Sequence, residues 1–232
     1  MPVIVLLRHG VSSANTAGIL AGRAPGVSLT EEGAVALEAN LGLLPRRRFS
    51  RLLHSPLRRC VQTAEIAQRI AEFDTVGVDR DVIELDYGDW TGRALKELAD
   101  EPLWSTVVER ASQARFPGGE SIAEAAGRSV ARVDALVTQL RAEEQEEKER
   151  RQAEDEKAGG PRWAMIVSHG DIIKSIIADA LGMPLDEFQR LSVAPGSFTV
   201  IDYSGARPVL AAMSVTAAGL AQSSTVGGGG LR

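Results

Sequence analysis

The stretch Val3-Ile4-Val5-Leu6-Leu7-Arg8-His9-Gly10 decides how the rest of the chain is read. Five apolar residues in succession, the first three β-branched, predict a buried strand. The strand ends in a cation and an imidazole, side by side where a parallel strand opens onto a cleft. Gly10 then lets the backbone turn sharply. A second stretch repeats the pattern: Trp163-Ala164-Met165-Ile166-Val167-Ser168 is strand-like and runs into His169-Gly170. Two of the chain's three histidines therefore follow a buried strand and precede a glycine.

Outward from these anchors, strands and helices alternate, which predicts an α/β fold. Thr30 is placed to cap a helix that ends before Pro45, with Val35, Leu37, Leu41 and Leu44 inward. Arg51–His54 reads as a strand. Ser55-Pro56 then opens a helix to Phe73, with Ser55 as its cap. Asp81–Leu85 reads as extended, residues 86–92 as a loop, and Ala94–Glu101 as helical. Ser121 and Glu124 form a capping box for a helix whose apolar stripe ends at Leu140. Asp171–Leu181 reads as a helix, and Ser197–Asp202 and Val209–Met213 as closing strands. One catalytic domain over 1–215 is expected, with a charged helical extension at about 141–160 that projects or frays. A flexible tail over 216–232 follows.

The bulk numbers exclude several function classes. At 232 residues, 44% hydrophobic and 25% charged, the chain has the composition of an ordinary globular protein. Aromatics at 4% and a net charge of −5 argue against nucleic-acid and anionic-membrane partners. Residues 143–157 carry eight acids and four bases, a net of −4, which leaves −1 for the remainder. Cys60 is the only cysteine, so neither an intrachain disulfide nor a cysteine metal cluster is expected. No apolar run approaches a membrane span, and the first strand starts too early to follow a signal peptide. A cytoplasmic enzyme is expected.

The residues at the strand ends suit phosphoryl chemistry. Histidine is nucleophilic at neutral pH and can form a phosphoramidate. An ionised phosphoryl group repels nucleophiles, so its pocket needs cations and N–H donors. Arg8 is one such cation. Arg58, in the first turn of the Ser55-capped helix, is a second. The helix beginning near Asp171 can add backbone N–H groups.

Five blocks occur in a fixed order: Arg8-His9-Gly10 with Ser12 and Asn15; Ser55-Pro56-Leu57-Arg58 with Gln62-Thr63-Ala64; Glu84 ahead of Tyr87-Gly88-Asp89-Trp90-Thr91-Gly92; Phe116 to Ser121; and Ser168-His169-Gly170. Over roughly residues 2–205 this resembles the histidine phosphatase superfamily, the phosphoglycerate-mutase-like group. The resemblance implies a three-layer fold: a mixed, mainly parallel sheet with helices on both faces. It implies His9 as nucleophile, and Arg8, Arg58 and His169, with Gly170, as phosphoryl ligands. Glu84 would be the proton donor and then the base, and Asn15 and the Gly22-Arg23 region would be in contact with the phosphate or leaving group. It implies no metal and no cofactor, a small phosphomonoester as substrate, and inorganic phosphate as product.

Asp86 and Glu120 are the substitute proton donors. Arg59 reads as a solvated helix residue, His54 as structural, and Cys60 as a buried thiol without the arginine that cysteine phosphatases need six positions on. Trp90 and Trp104 either line the cleft or pack as core. Two alternatives to a hydrolase stand beside it: a phosphoglycerate mutase, and an inactive phosphate-binding scaffold. Oligomeric state, a homodimer included, is open.

Overall fold

The structure, a computed structural model, describes residues 2–154 and 160–219. The expected tail lies largely outside them. In chain order the elements are β1 (Val3–Arg8), α1 (Ser13–Ala17), α2 (Glu31–Leu41), β2 (Arg48–His54), α3 (Arg58–Ile70) and β3 (Glu72–Val78). The remainder are α4 (Leu95–Leu98), α5 (Trp104–Glu109), α6 (Ile122–Ala153), β4 (Trp163–Ser168), α7 (Gly170–Ala180), β5 (Phe198–Asp202) and β6 (Val209–Val215).

The strands form one six-stranded sheet in the order β3-β2-β4-β1-β5-β6. β3, β2, β4 and β1 are mutually parallel, and β5 runs antiparallel to both β1 and β6. The sheet is thus mixed and mainly parallel. Because side chains alternate along a strand, each central strand feeds two cores. Val3, Val5, Leu7, Met165 and Val167 meet α2 and α3 on one face. Ile4, Leu6, Ala164 and Ile166 meet α6 and α7 on the other.

Several local expectations are corrected. Val35, expected inward on α2, is 69% exposed. Helix α3 begins at Arg58, with Leu57 as a cap that makes no side-chain bond, not at Pro56 under a Ser55 cap. It ends at Ile70, because residues 72–78 form β3. That strand is mostly exposed and carries no apolar alternation that would announce it. Residues 81–85 form a loop anchored by fully buried Val82 and Leu85. Helix α6 neither frays after Leu140 nor loses contact with the body. Ion pairs from Glu143 to Arg51, and from Glu147 to Arg162 (2.9 Å), tie it beside the N-terminal ends of β2 and β4. Among the described residues no helix is long and apolar enough to cross a membrane.

Candidate active site

Strand order and register bring the two histidines together. β4 lies between β2 and β1, and all three run the same way, so their C-terminal ends open on one edge of the sheet. Arg8 pairs with Ser168 across β1 and β4, so the next residues, His9 and His169, leave the sheet side by side. Their rings lie 5.3 Å apart, tilted by 59°. The backbone there is pinned: His9 N–H donates to Ser168 O (3.0 Å), and Gly196 N–H donates to His9 O (2.8 Å).

The hydrogen bonds define the protonation of each ring. His9 Nδ1 lies 2.8 Å from the Gly10 carbonyl, which can only accept, so Nδ1 carries the proton. Nε2 of neutral His9 then keeps its lone pair. Burial, with Arg59 and Arg8 adding repulsion, holds His9 well below the usual histidine pKa, so it is neutral at pH 7. His169 has the opposite arrangement. Arg59 Nη2 donates to its Nδ1 (3.1 Å), so Nε2–H donates to Ser55 Oγ (2.8 Å). Burial and Arg59 depress its pKa as well. The Ser55 hydroxyl, expected as a helix cap, is thus engaged mainly with an imidazole.

The second arginine is Arg59, not Arg58. Arg58 is exposed at the start of α3 and does not line the cleft. Arg59, expected to be solvated, is 2% exposed and does line it. Adjacent helical residues differ by about 100° in direction, so the true start of α3 decides which of the two points inward. Gly22 O accepts from Arg59 Nη2 at 2.9 Å. Gly22 needs its lack of a side chain: φ is +48°, and a Cβ would meet Thr91 Oγ1 at 2.8 Å. Nε and Nη1 of Arg59 are buried with no hydrogen-bond partner among the described residues. Arg8 is 4% exposed and donates from Nη1 to Val193 O (2.6 Å). A Cβ at Gly170 would sit 3.2 Å from Arg8 Cζ, so that glycine makes room for the guanidinium.

Glu84 reaches the cleft from the loop after β3. Ser168 Oγ–H donates to Val82 O (2.7 Å), and Arg23 Nε–H donates to Glu84 O (2.9 Å), fixing that loop. Glu84 Oε2 lies 3.7 Å from His169 Nδ1. Burial, with Asp171 adding repulsion, pushes its carboxyl up to about 7. Asp86 and Glu120, the substitute donors, are paired with Arg23 at 3.4 and 2.9 Å and do not line the cleft.

Asn15 lines the cleft, and its Oδ1 accepts from Ser12 N–H (3.0 Å), which leaves the amide NH2 to donate. His54 is buried against Ser55 O and lies outside the cleft. Cys60 is fully buried, with Sγ 3.4 Å from His169 Nε2 and its thiol pushed up to about 12 by burial. Trp90 and Trp104 both line the cleft.

The sequence reading missed Asp171 and its partners. Tyr87 Oη–H donates to Asp171 Oδ2 (2.9 Å), and Lys174, fully buried, donates to Asp171 Oδ1 (3.3 Å) and Gln189 Oε1 (2.8 Å). A lysine inside an apolar helix face is the one sequence signal that could have pointed there. Among the described residues no group of three or more His, Cys, Asp or Glu is arranged to hold a metal ion.

The geometry has counterparts among known proteins. A glucosyl-3-phosphoglycerate phosphatase of Mycolicibacterium vanbaalenii is 29% identical over 81% of this chain and 78% of its own length. An adenosylcobalamin/alpha-ribazole phosphatase of Salmonella typhimurium is 27% identical over 85% and 88%. The structure of a mycobacterial glucosyl-3-phosphoglycerate phosphatase in complex with VO3 superposes with a TM-score of 0.73 at 27% identity, covering 92% of this chain and 99% of that one. These relatives are named as phosphatases, and this chain falls with them among the phosphoric monoester hydrolases. A model of the histidine phosphatase superfamily (branch 1) matches residues 4–216, and the chain belongs to that superfamily.

Proposed function

We propose that the chain hydrolyses small phosphomonoesters through a phosphohistidine formed on His9, without a metal. The observation that carries this reading is the convergence of two imidazoles at 5.3 Å on a buried arginine whose Nε and Nη1 have no partner among the described residues. A buried guanidinium with unsatisfied donors is costly unless an anion meets it. A phosphoryl group supplies that anion.

In the first step His9 Nε2 attacks phosphorus and the P–O bond to the leaving group breaks. Glu84 gives its proton to the leaving oxygen, so the alcohol departs neutral. Arg8 and Arg59 bind the non-bridging oxygens, and Asn15 adds an N–H donor. His169 orients Arg59 and closes the pocket opposite His9. In the second step Glu84, now ionised, takes a proton from water. The water oxygen attacks phosphorus, the N–P bond breaks, and inorganic phosphate leaves. A carboxyl held near 7 suits both roles.

The test is a phosphoenzyme trap. Wild-type protein mixed with a labelled phosphomonoester and quenched in base should carry acid-labile label, and release of phosphate should outpace isomerisation of 3-phosphoglycerate. His9→Ala should lose both the label and turnover. Turnover within tenfold of wild type in His9→Ala would overturn the assignment, and faster isomerisation would favour a mutase.

A further inference from the structure

Beyond the phosphoryl pocket the cleft continues outward and its wall changes character. Ile19, Leu20, Trp90, Leu95, Trp104 and Phe116 line it. Trp90 meets Phe116 edge-on at 5.3 Å and Trp104 at 6.3 Å, with the two indoles 29° from parallel. Trp90 and Phe116 are 3% and 2% exposed and back the wall, so the apolar surface it offers comes from half-buried Trp104, Ile19, Leu20 and Leu95.

The wall is built rather than loosely draped. Leu20 N–H donates to Arg93 O (2.9 Å), Gly92 N–H to Leu20 O (2.8 Å), and Leu95 N–H to Gly18 O (2.9 Å). These bonds knit the turn after α1 to the start of α4.

The charge at this end is also defined. Among the described lining residues the formal charges are Arg8, Arg59, Glu84 and Asp171. The two arginines belong to the phosphoryl group, and Asp171 is engaged by Tyr87 and Lys174. Of the cations beside the wall, Arg23 pairs with Asp86 and Glu120, Arg93 pairs with Glu101 at 2.6 Å, and Lys96 is exposed and does not line the cleft. A carboxylate seated against the apolar side chains would lose its water without touching a cation of the wall.

We propose that the leaving group is an uncharged, aromatic or otherwise apolar alcohol seated against Trp104, Leu20 and Leu95, and not a sugar acid or an amino acid. This rests on the hydrolase reading and narrows it to a substrate class. The wall selects through apolar contact, so discrimination of at least about tenfold is expected, the range one hydrophobic pocket supplies.

The experiment compares kcat/KM of the wild-type protein for 2-phenylethyl phosphate, ethyl phosphate, 3-phosphoglycerate and O-phosphoserine, all esters of poorly acidic alcohols. The phenylethyl ester should lead each of the others by about tenfold or more. Trp104→Ala, at a partly exposed position, should collapse the phenylethyl-to-ethyl ratio toward one. Equal or faster hydrolysis of 3-phosphoglycerate or phosphoserine would overturn this inference and leave the hydrolase reading intact. An unchanged ratio in Trp104→Ala would equally overturn it. Turnover of none of the four would overturn the hydrolase reading and this inference together.

Discussion

A neutral imidazole attacks phosphorus and a protonated one cannot, so the proposed mechanism needs His9 unprotonated within a positively charged pocket. Burial and the two guanidinium groups do both at once. The same burial acts in the opposite sense on Glu84, raising its pKa from 4.5 to about 7. In the proposed mechanism protonated Glu84 is the donor, so kcat/KM for alkyl esters should fall as pH rises through about 7. The acid limb should lie well below 6.5, where His9 protonates. Glu84→Gln should lower kcat on alkyl esters by about 10²–10⁴-fold, and by less on p-nitrophenyl phosphate, whose leaving group needs no proton. Linkage adds a stability signature. A raised carboxyl pKa contributes stability that is intact below about 4.5 and is lost as pH rises through about 7. Glu84→Gln should therefore melt several degrees above wild type at pH 8 and close to it at pH 4.5. A constant difference across that range would contradict the assignment. The two neighbouring arginines supply a further check. Arg59→Ala should reduce kcat/KM by at least about 10²-fold, because the proposed mechanism gives its free donors to the phosphoryl group. Arg58→Ala should stay within about twofold, since an exposed surface charge contributes little. Steady-state kinetics on the pair would reveal a reversal at once.

At the scale of elements, the loops and helix starts do the positioning. α6 begins with a reciprocal box: Ser121 Oγ accepts from Glu124 N–H at 3.1 Å, and Glu124 accepts from Ser121 N–H at 2.8 Å. Ser121→Ala should cost about 1 kcal/mol. For a chain of this size that lowers Tm by about 2–4 °C. kcat/KM should not change, because the box does not reach the cleft, and a thermal melt beside a rate assay tests both halves. This start was legible in the sequence because a capping box is a contact between residues three apart. The start of α3 was not. Ser55 has the chemistry of a cap, but its hydroxyl is taken up with His169, more than a hundred positions away, and the helix opens two residues later than Pro56. β3 escaped for a related reason. It is an exposed edge strand held by pairing with β2, so its own side chains carry no burial pattern.

At the scale of the whole molecule, the cleft is a property of the sheet. Two strands far apart in the chain lie adjacent and in register, and the loops leaving them must share one edge. The α/β class and the strand ends at His9 and His169 follow from the sequence by itself, whereas Glu84 was singled out only by the family resemblance of its block. Apolar runs, glycines after strands and chemically distinctive side chains are local signals that survive without coordinates. Which arginine turns inward, what Ser55 touches, how Asp171 and Lys174 back the pocket and where an apolar wall meets it were decided by tertiary structure alone. Each depends on rotation about a helix axis or on contact between distant segments, and packing sets those quantities, not the order of residues along the chain.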